Sequence, residues 1–278
     1  MTTKPTAELR VTAFLPGPDR PDIRNAIHST EGARDYGYQA ALVGGVTVFG
    51  WSTPLILEVL GTSWLDHGWA DLTFRRPTYP GDELVITLEE DGSVARLKIT
   101  GLDGHDRVEG ELGLGDAPWL DQVLLKTPFQ EPEPELQHHP LLTPEVAPVG
   151  RRLSPLGFTV TVEEAREYAE KRARTNDPLF TGPRPRLHPG WIAGRPPGVL
   201  HHSYDYGPAI HARSHLQIIA PAFAGQDFVA TATFRESYER KGHHYGAYDC
   251  TIYAADGTEL WRQRHTTIYQ VAKRENAG

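Results

Sequence analysis

Apolar and polar positions alternate with a period of two through four stretches of the first half of the chain. They are "WADLTFRR" from Trp69, "DELVITLEE" from Asp82, "ARLKITGL" from Ala95 and "RVEGELGL" from Arg107. Period two marks a strand with one wet and one dry face, and the "PG", "DG" and "LDG" turns between the stretches predict antiparallel hairpins. The second half holds a matching set, "AIHARSHLQII", "QDFVATATFRESYER", "HHYGAYDCTIYAA" and "TELWRQRHTTIYQVA", rich in β-branched and aromatic residues. Ahead of the first set, "YQAALVGGVTVFGWSTPLILEVLGTSWL" is apolar on almost every side. A helix without a polar face must be buried all round, so one long central helix is expected there, starting near Gly44 and Gly45. In the second half "TVTVEEAREYAEKRA" predicts an amphipathic helix opened by Thr161, Glu163 and Glu164, followed by a Gly/Pro/His-rich stretch, "TGPRPRLHPGWIAGRPPG".

The two sets repeat one another. "LTFRRPTYPGDELV" and "LQIIAPAFAGQDFV" place Leu72, Pro77, Gly81 and Val85 on Leu216, Pro221, Gly225 and Val229, each pair 144 positions apart. The turns at Leu102 and Ala255 correspond at an offset of 153, so the second copy has a hairpin about nine residues longer. Between the copies, seven prolines from Pro128 to Pro155 exclude a helix or an interior strand and predict an extended, semi-stiff connector. The expected organisation is an N-terminal half over 1–127, a connector over 128–155 and a C-terminal half over 156–278. A folding unit has been duplicated.

Composition narrows the function classes. A formal net charge of −8 argues against non-specific nucleic-acid binding, which needs a basic face. One cysteine, Cys250, excludes an intrachain disulfide framework and fits a reducing compartment. The N-terminus lacks the apolar run of a signal peptide and no stretch is apolar for long enough to span a bilayer, so a cytoplasmic protein with no membrane partner is expected.

"NAIHSTEGARDYGYQAALVGGVTVFG", Asn25 to Gly50, resembles the signature of MaoC-like acyl-CoA hydratases and dehydratases. In that signature Asn-Pro-x-His precedes an Ala, a Gly-aromatic pair and an apolar run with Gly at a helix start. Asn25, Ile27, His28, Ala33, Gly37, Tyr38 and Gly45 match, with Ala26 at the proline position; Asp177, Pro178, Leu179 and Phe180 match a degenerate second copy. The resemblance implies an α+β double hotdog fold, two antiparallel curled sheets each wrapped around a central helix and fused in one chain. It also implies a hydratase or dehydratase acting on an acyl thioester of coenzyme A or an acyl carrier protein. No separate cofactor is implied, because the coenzyme is part of the substrate, and one fused chain is the minimum unit, with a homo-oligomer left open.

The resemblance supplies the candidate residues. His28 stands where the family keeps its catalytic histidine; its alternative is a local role, hydrogen-bonding its loop. Ile23 occupies the position of the catalytic aspartate, and Asp22, one residue away, substitutes only through a local bulge. Phe180 and Thr175 replace the pair in the second half. Gly44, Gly45 and Val46 are the expected backbone donors for an enolate oxygen, since a helix start offers unpaired N–H groups. On the strand from Ile210, His211 and His215 are four apart and should share a face with Arg213, lining a substrate pocket. Arg235, Arg240 and Lys241 are candidates for a pantetheine phosphate. Adjacent histidines at 201–202 and 243–244 point to opposite faces of a strand and no ligand spacing is recognisable, so no metal is expected. The missing aspartate keeps two other readings open: a hotdog thioesterase, or a protein that binds acyl thioesters without catalysis.

Overall fold

The computed structural model describes residues 7–20 and 22–272; the outer ends of the first and last expected segments, 1–6 and 273–278, lie outside it. Ten strands form one antiparallel sheet in the order β1-β3-β4-β5-β2-β7-β10-β9-β8-β6. The first half contributes β1 (Ala7–Thr12), β2 (Gly68–Phe74), β3 (Glu83–Asp91), β4 (Val94–Gly101) and β5 (Asp106–Leu114). The second contributes β6 (Leu156–Val160), β7 (Ile210–Ile218), β8 (Gln226–Arg240), β9 (His243–Ala254) and β10 (Glu259–Gln270). Read outward from the centre, both halves run in the same internal order. They join where β2 pairs with β7, Leu72 opposite Ser214 and Ala70 opposite Leu216. The two sheets of the expected double hotdog are thereby joined side by side into one continuous sheet.

Hairpin lengths follow the repeat. β3 and β4 turn at Gly92, whose φ of +67° suits glycine, whereas β8 and β9 extend farther and turn at Lys241 and Gly242. The longer hairpin carries His243 and Tyr245 over the centre of the molecule.

The expected single helix is three short ones, α2 (Gly45–Gly50), α3 (Thr53–Leu60) and α4 (Trp64–His67), preceded by α1 (Thr30–Asp35). Pro54 has no N–H to continue the ladder from α2, and the Ser52 hydroxyl donates to the Phe49 carbonyl at 2.6 Å, closing the first turn off. Gly61, at φ +76°, ends α3. The segment is buried as expected: Phe49, Ile56 and Trp64 are all inaccessible and pack against Leu84, Ile86, Leu97 and Ile99 of the sheet. Its apolarity reports burial; its one proline and its glycines decide continuity.

The corresponding rod of the second half lies in the stretch from which no helix is expected. After α5 (Leu120–Val123) come α6 (Val162–Glu167), a π-helical turn over Tyr168–Ala173 and α7 (Pro178–Thr181). The rod itself is α8 (Pro189–Ala193) and α9 (Pro196–His201). Pro189 and Pro196 sit in first turns, where a missing N–H costs nothing. The 144-residue offset of the strands carries Gly44–Gly50 onto His188–Gly194. α2 and α8 cross closely because Gly190 has no side chain; a Cβ there would stand 2.8 Å from the Val46 carbonyl and 2.9 Å from the Gly50 Cα. α6 opens as its sequence predicts, with a capping box in which the Thr161 hydroxyl accepts from Glu164 N–H and the Glu164 carboxylate accepts from Thr161 N–H.

The face of the sheet away from the helices is partly covered by the chain leaving β5. Ala117 N–H donates to the Gln217 side chain at 2.8 Å, and Tyr253 donates its hydroxyl to the Thr127 carbonyl at 2.7 Å. From there to β6 the chain has no helix or strand; isolated bridges, Leu141 to Asp205 and Arg152 to Thr233, and backbone hydrogen bonds such as Gly150 N–H to the Phe234 carbonyl and Leu153 N–H to the Ala232 carbonyl hold it to the second half.

Candidate functional site

His28 ends a 3₁₀ turn over Ala26–His28, and its Nδ1–H donates to the Leu42 carbonyl at 2.7 Å. A carbonyl only accepts, so the proton is on Nδ1 and Nε2 keeps its lone pair. Burial holds the ring's pKa below the ordinary histidine value; the Leu42 bond opposes the shift and the charge of Arg172 adds to it. A neutral imidazole with an unused basic nitrogen is a general base.

His28 stands between two cavities, of about 450 Å³ and about 460 Å³, and lines both together with Asn25, Leu42, Gly44 and Val46. The first cavity continues between the two rods toward Phe74, His211 and the long hairpin; the second runs past Tyr168 and Trp191. Asn25 fixes the approach by bonding the backbone of Ala209 in both directions, at 2.8 and 3.1 Å, and so ties the loop of one half to the other. The expected donors lie where the cavities meet. Thr47 and Val48 already donate to the Gly44 carbonyl, whereas the N–H groups of Gly44, Gly45 and Val46 make no hydrogen bond among the described residues. Gly45 is required for a second reason: the Phe74 ring rests on its Cα, and a Cβ would meet that ring at 2.5 Å.

Several expectations need correcting. Asp22 is exposed on the surface, 3.3 Å from Arg20, and lines neither cavity. No bulge turns it inward, and neither cavity is lined by an Asp or Glu among the described residues. His211 and His215 do not share a face. β7 bulges at Ala212, with Arg213 opposite Thr266 and His211 opposite Thr267, and one extra residue reverses the alternation. His211 therefore lines the first cavity, accepting or donating across 2.7 Å to Ser214, while His215 faces away. There it packs on Trp119, 3.6 Å from Asp71, and burial pushes its pKa down to about 4. Arg235 is held by Asp249 at 2.8 Å on that outer face, and Arg240 and Lys241 are exposed at the hairpin end.

The cavity also gathers residues that strand and loop patterning did not single out. His201, at the end of α9, stacks on Tyr206 with ring centres 4.0 Å apart, and burial pushes its pKa down to about 4. The His265 ring of β10 packs tilted against His211 with ring centres 4.0 Å apart, and burial lowers both pKa values, that of His211 to about 3. The 144-residue offset, extended through the Gly/Pro stretch, is the one sequence signal that finds α9 and so His201. Among the described residues no three metal-ligating side chains converge.

Known structures share this fold. A MaoC-like dehydratase superposes with a TM-score of 0.59 over 88% of this chain and 90% of its own, at 15% identity. A MaoC domain protein from Chloroflexus aurantiacus J-10-fl gives 0.60 over 89% and 88%, at 14% identity. Rv0216, a conserved hypothetical protein from Mycobacterium tuberculosis with a double hotdog fold, gives 0.60 over 88% of each chain at 13% identity. The fold is a double hotdog. No protein-family model matches the chain and no curated protein does either. At these identities the likeness speaks for the hotdog architecture, and chemistry has to be argued from the site. No helix among the described residues is long and apolar enough to cross a membrane.

Proposed function

We propose that this double hotdog eliminates water from, or adds it to, an acyl thioester, with His28 as its single acid/base residue. The observation that carries the reading is the His28 ring, held by the Leu42 carbonyl at 2.7 Å and set at the junction of two cavities beside the Gly44–Val46 backbone. In the dehydration direction His28 Nε2 takes the proton from the carbon next to the thioester. The electron pair moves onto the thioester oxygen as an enolate, which the N–H groups of Gly45 and Val46 receive. The enolate collapses, the bond from Cβ to its hydroxyl breaks, and the leaving oxygen takes the proton back from Nε2. An enoyl thioester and water result, and the imidazole ends neutral. Hydration is the reverse.

This scheme suits a site lined by no carboxylate among the described residues. One base serves both steps when the α-proton and the β-hydroxyl leave from the same face, so syn stereochemistry is expected. The test is turnover of a panel of enoyl-CoA esters and 3-hydroxyacyl-CoA esters, followed by absorbance of the conjugated thioester, with the release of free thiol measured alongside. His28→Gln should lower turnover by about 10²–10⁴-fold, the usual contribution of an acid/base group. Thiol release without hydration would make the protein a thioesterase. Tight binding without product would make it a thioester-binding protein, and a fully active His28→Gln variant would remove the mechanism.

A further inference from the structure

The chain carries a formal net charge of −8, yet its second cavity is lined by Arg20, Arg172 and Arg195 and by no carboxylate among the described residues. Arg20 is paired with Asp22 at the surface. Arg195 is different. It follows α8, is largely buried, and lies with its guanidinium 4.1 Å from the centre of the Trp191 ring. Its Nε donates to the Trp191 carbonyl at 3.3 Å, and its Nη groups have no protein acceptor among the described residues. Arg172, the more exposed of the two, makes no ion pair among the described residues either, and its charge acts on both Arg195 and His28. The carboxylate felt by Arg195 is that of Glu164, which is bound to the Thr161 N–H at 2.8 Å and stands beyond ion-pairing distance. Burial, with Arg172 adding to it, pushes the Arg195 pKa down to about 10.

A cation held away from bulk water beside a second cation, with no counter-ion, is unfavourable unless a ligand completes the pair. We propose that the second cavity is an anion-binding compartment in which Arg195 and Arg172 hold carboxylate or phosphate oxygens of the substrate. The planar guanidinium fork matches either group bidentately. This rests on the thioester reading of His28: a thioester with its carbonyl at Gly45 and Val46 has one end in the first cavity and the other in the second. Two parts of such a substrate could carry the anion, a distal carboxylate on the acyl group or the phosphates of coenzyme A.

The experiment uses the full chain and two variants, Arg195→Gln and the more exposed Arg172→Gln. Binding of glutarate and of inorganic phosphate is measured by calorimetry, which needs no turnover. Loss of one charged bidentate contact should weaken binding about ten- to a hundredfold in Arg195→Gln, and less in Arg172→Gln. Turnover is then compared for N-acetylcysteamine thioesters, which lack phosphate, made from an unsaturated monoacid and from an unsaturated diacid, and for the matching coenzyme A esters. Arg195→Gln impairing only the diacid esters assigns the anion to the acyl group; impairing all coenzyme A esters and sparing both N-acetylcysteamine esters assigns it to phosphate. Anion binding lost in the variants, in a protein that turns over no thioester, leaves the compartment standing and removes the proposed reaction. Wild-type protein that binds neither anion, or variants that bind both as well as wild type with all esters affected alike, overturns the proposal. If Arg195→Gln does not fold, Arg172→Gln decides by the same readings.

Discussion

The two helix starts at the centre of the molecule derive from the same duplicated segment and are now opposites. Gly44 and Val46 line both cavities and Gly45 the first, and their N–H groups make no hydrogen bond among the described residues. At His188–Gly190 the equivalent space is filled. The His188 ring is inaccessible, accepts from Gly190 N–H at 3.2 Å through Nδ1, and is enclosed by Tyr168 and Phe180 at ring distances of 5.5 and 4.8 Å. Burial pushes its pKa down to about 3. One start can receive a ligand, and the other supplies its own occupant. The open start lines the candidate site and the closed start packs behind it, with Gly190 pressed against Val46 and Gly50.

The largest expected effect comes from separating the two rods. Gly190→Ala places a methyl 2.8 Å from the Val46 carbonyl and from the Tyr168 hydroxyl; such overpacking costs about 1–3 kcal/mol. Because the displaced carbonyl belongs to the proposed donor segment, turnover should fall as well. Urea unfolding at neutral pH checks the first point, and wild-type stability in the variant would show that the crossing is looser than described.

The closed start also predicts a response to acid. Burial lowers the pKa values of His188 and His211 to about 3, whereas unfolded imidazoles titrate near 6.5. Below that value the unfolded chain binds protons the folded chain refuses, so stability is full above pH 6.5 and falls as pH drops. Each such histidine contributes a slope of up to about 1.4 kcal/mol per pH unit. His188→Leu should shrink the stability lost between pH 7 and pH 5 by about 2 kcal/mol. Urea midpoints at the two pH values read this, and identical pH dependence in variant and wild type would mean that the ring is not held neutral.

A smaller effect is expected at the cap of α6. Glu164→Ala removes half of its capping box and should cost about 1 kcal/mol. The smallest is at the surface: Asp22→Asn, at an exposed side chain that lines neither cavity and pairs with Arg20, should leave turnover unchanged and stability within about 0.5 kcal/mol. A large loss of turnover in Asp22→Asn would restore the aspartate to the mechanism and break the contrast between a one-base site and the usual pair.

Much of this was legible in the sequence because the strands alternate cleanly. β3, β4 and β5 lie where period two places them, and the repeated phrase marks β2 and β7, which join the halves. His28 could be singled out because the motif around it is local, and its bond to Leu42 lies within the same loop. What was not legible depends on non-local packing or on one extra residue. α8 and α9 are rich in proline and glycine because proline suits first turns and because α2 crosses too closely for a side chain at Gly190. Composition there masks a helix. Ala212 is the unpaired residue of a bulge, and nothing in "AIHARSHL" shows that His211 and His215 part company across it. That the guanidinium of Arg195 has no ion-pair partner among the described residues is visible only once the cavity around it is known.

The measurement that bears most directly on the contrast between the two starts is a crystal structure with an unreactive enoyl-thioester analogue bound. The thioester oxygen should lie about 3 Å from the N–H groups of Gly45 and Val46, the spacing of a hydrogen bond. The conjugated carbons should then sit against His28 Nε2, with His188 still closing the other rod. A thioester seated instead at His188–Gly190, or anywhere that leaves His28 out of reach of its carbons, would contradict the account.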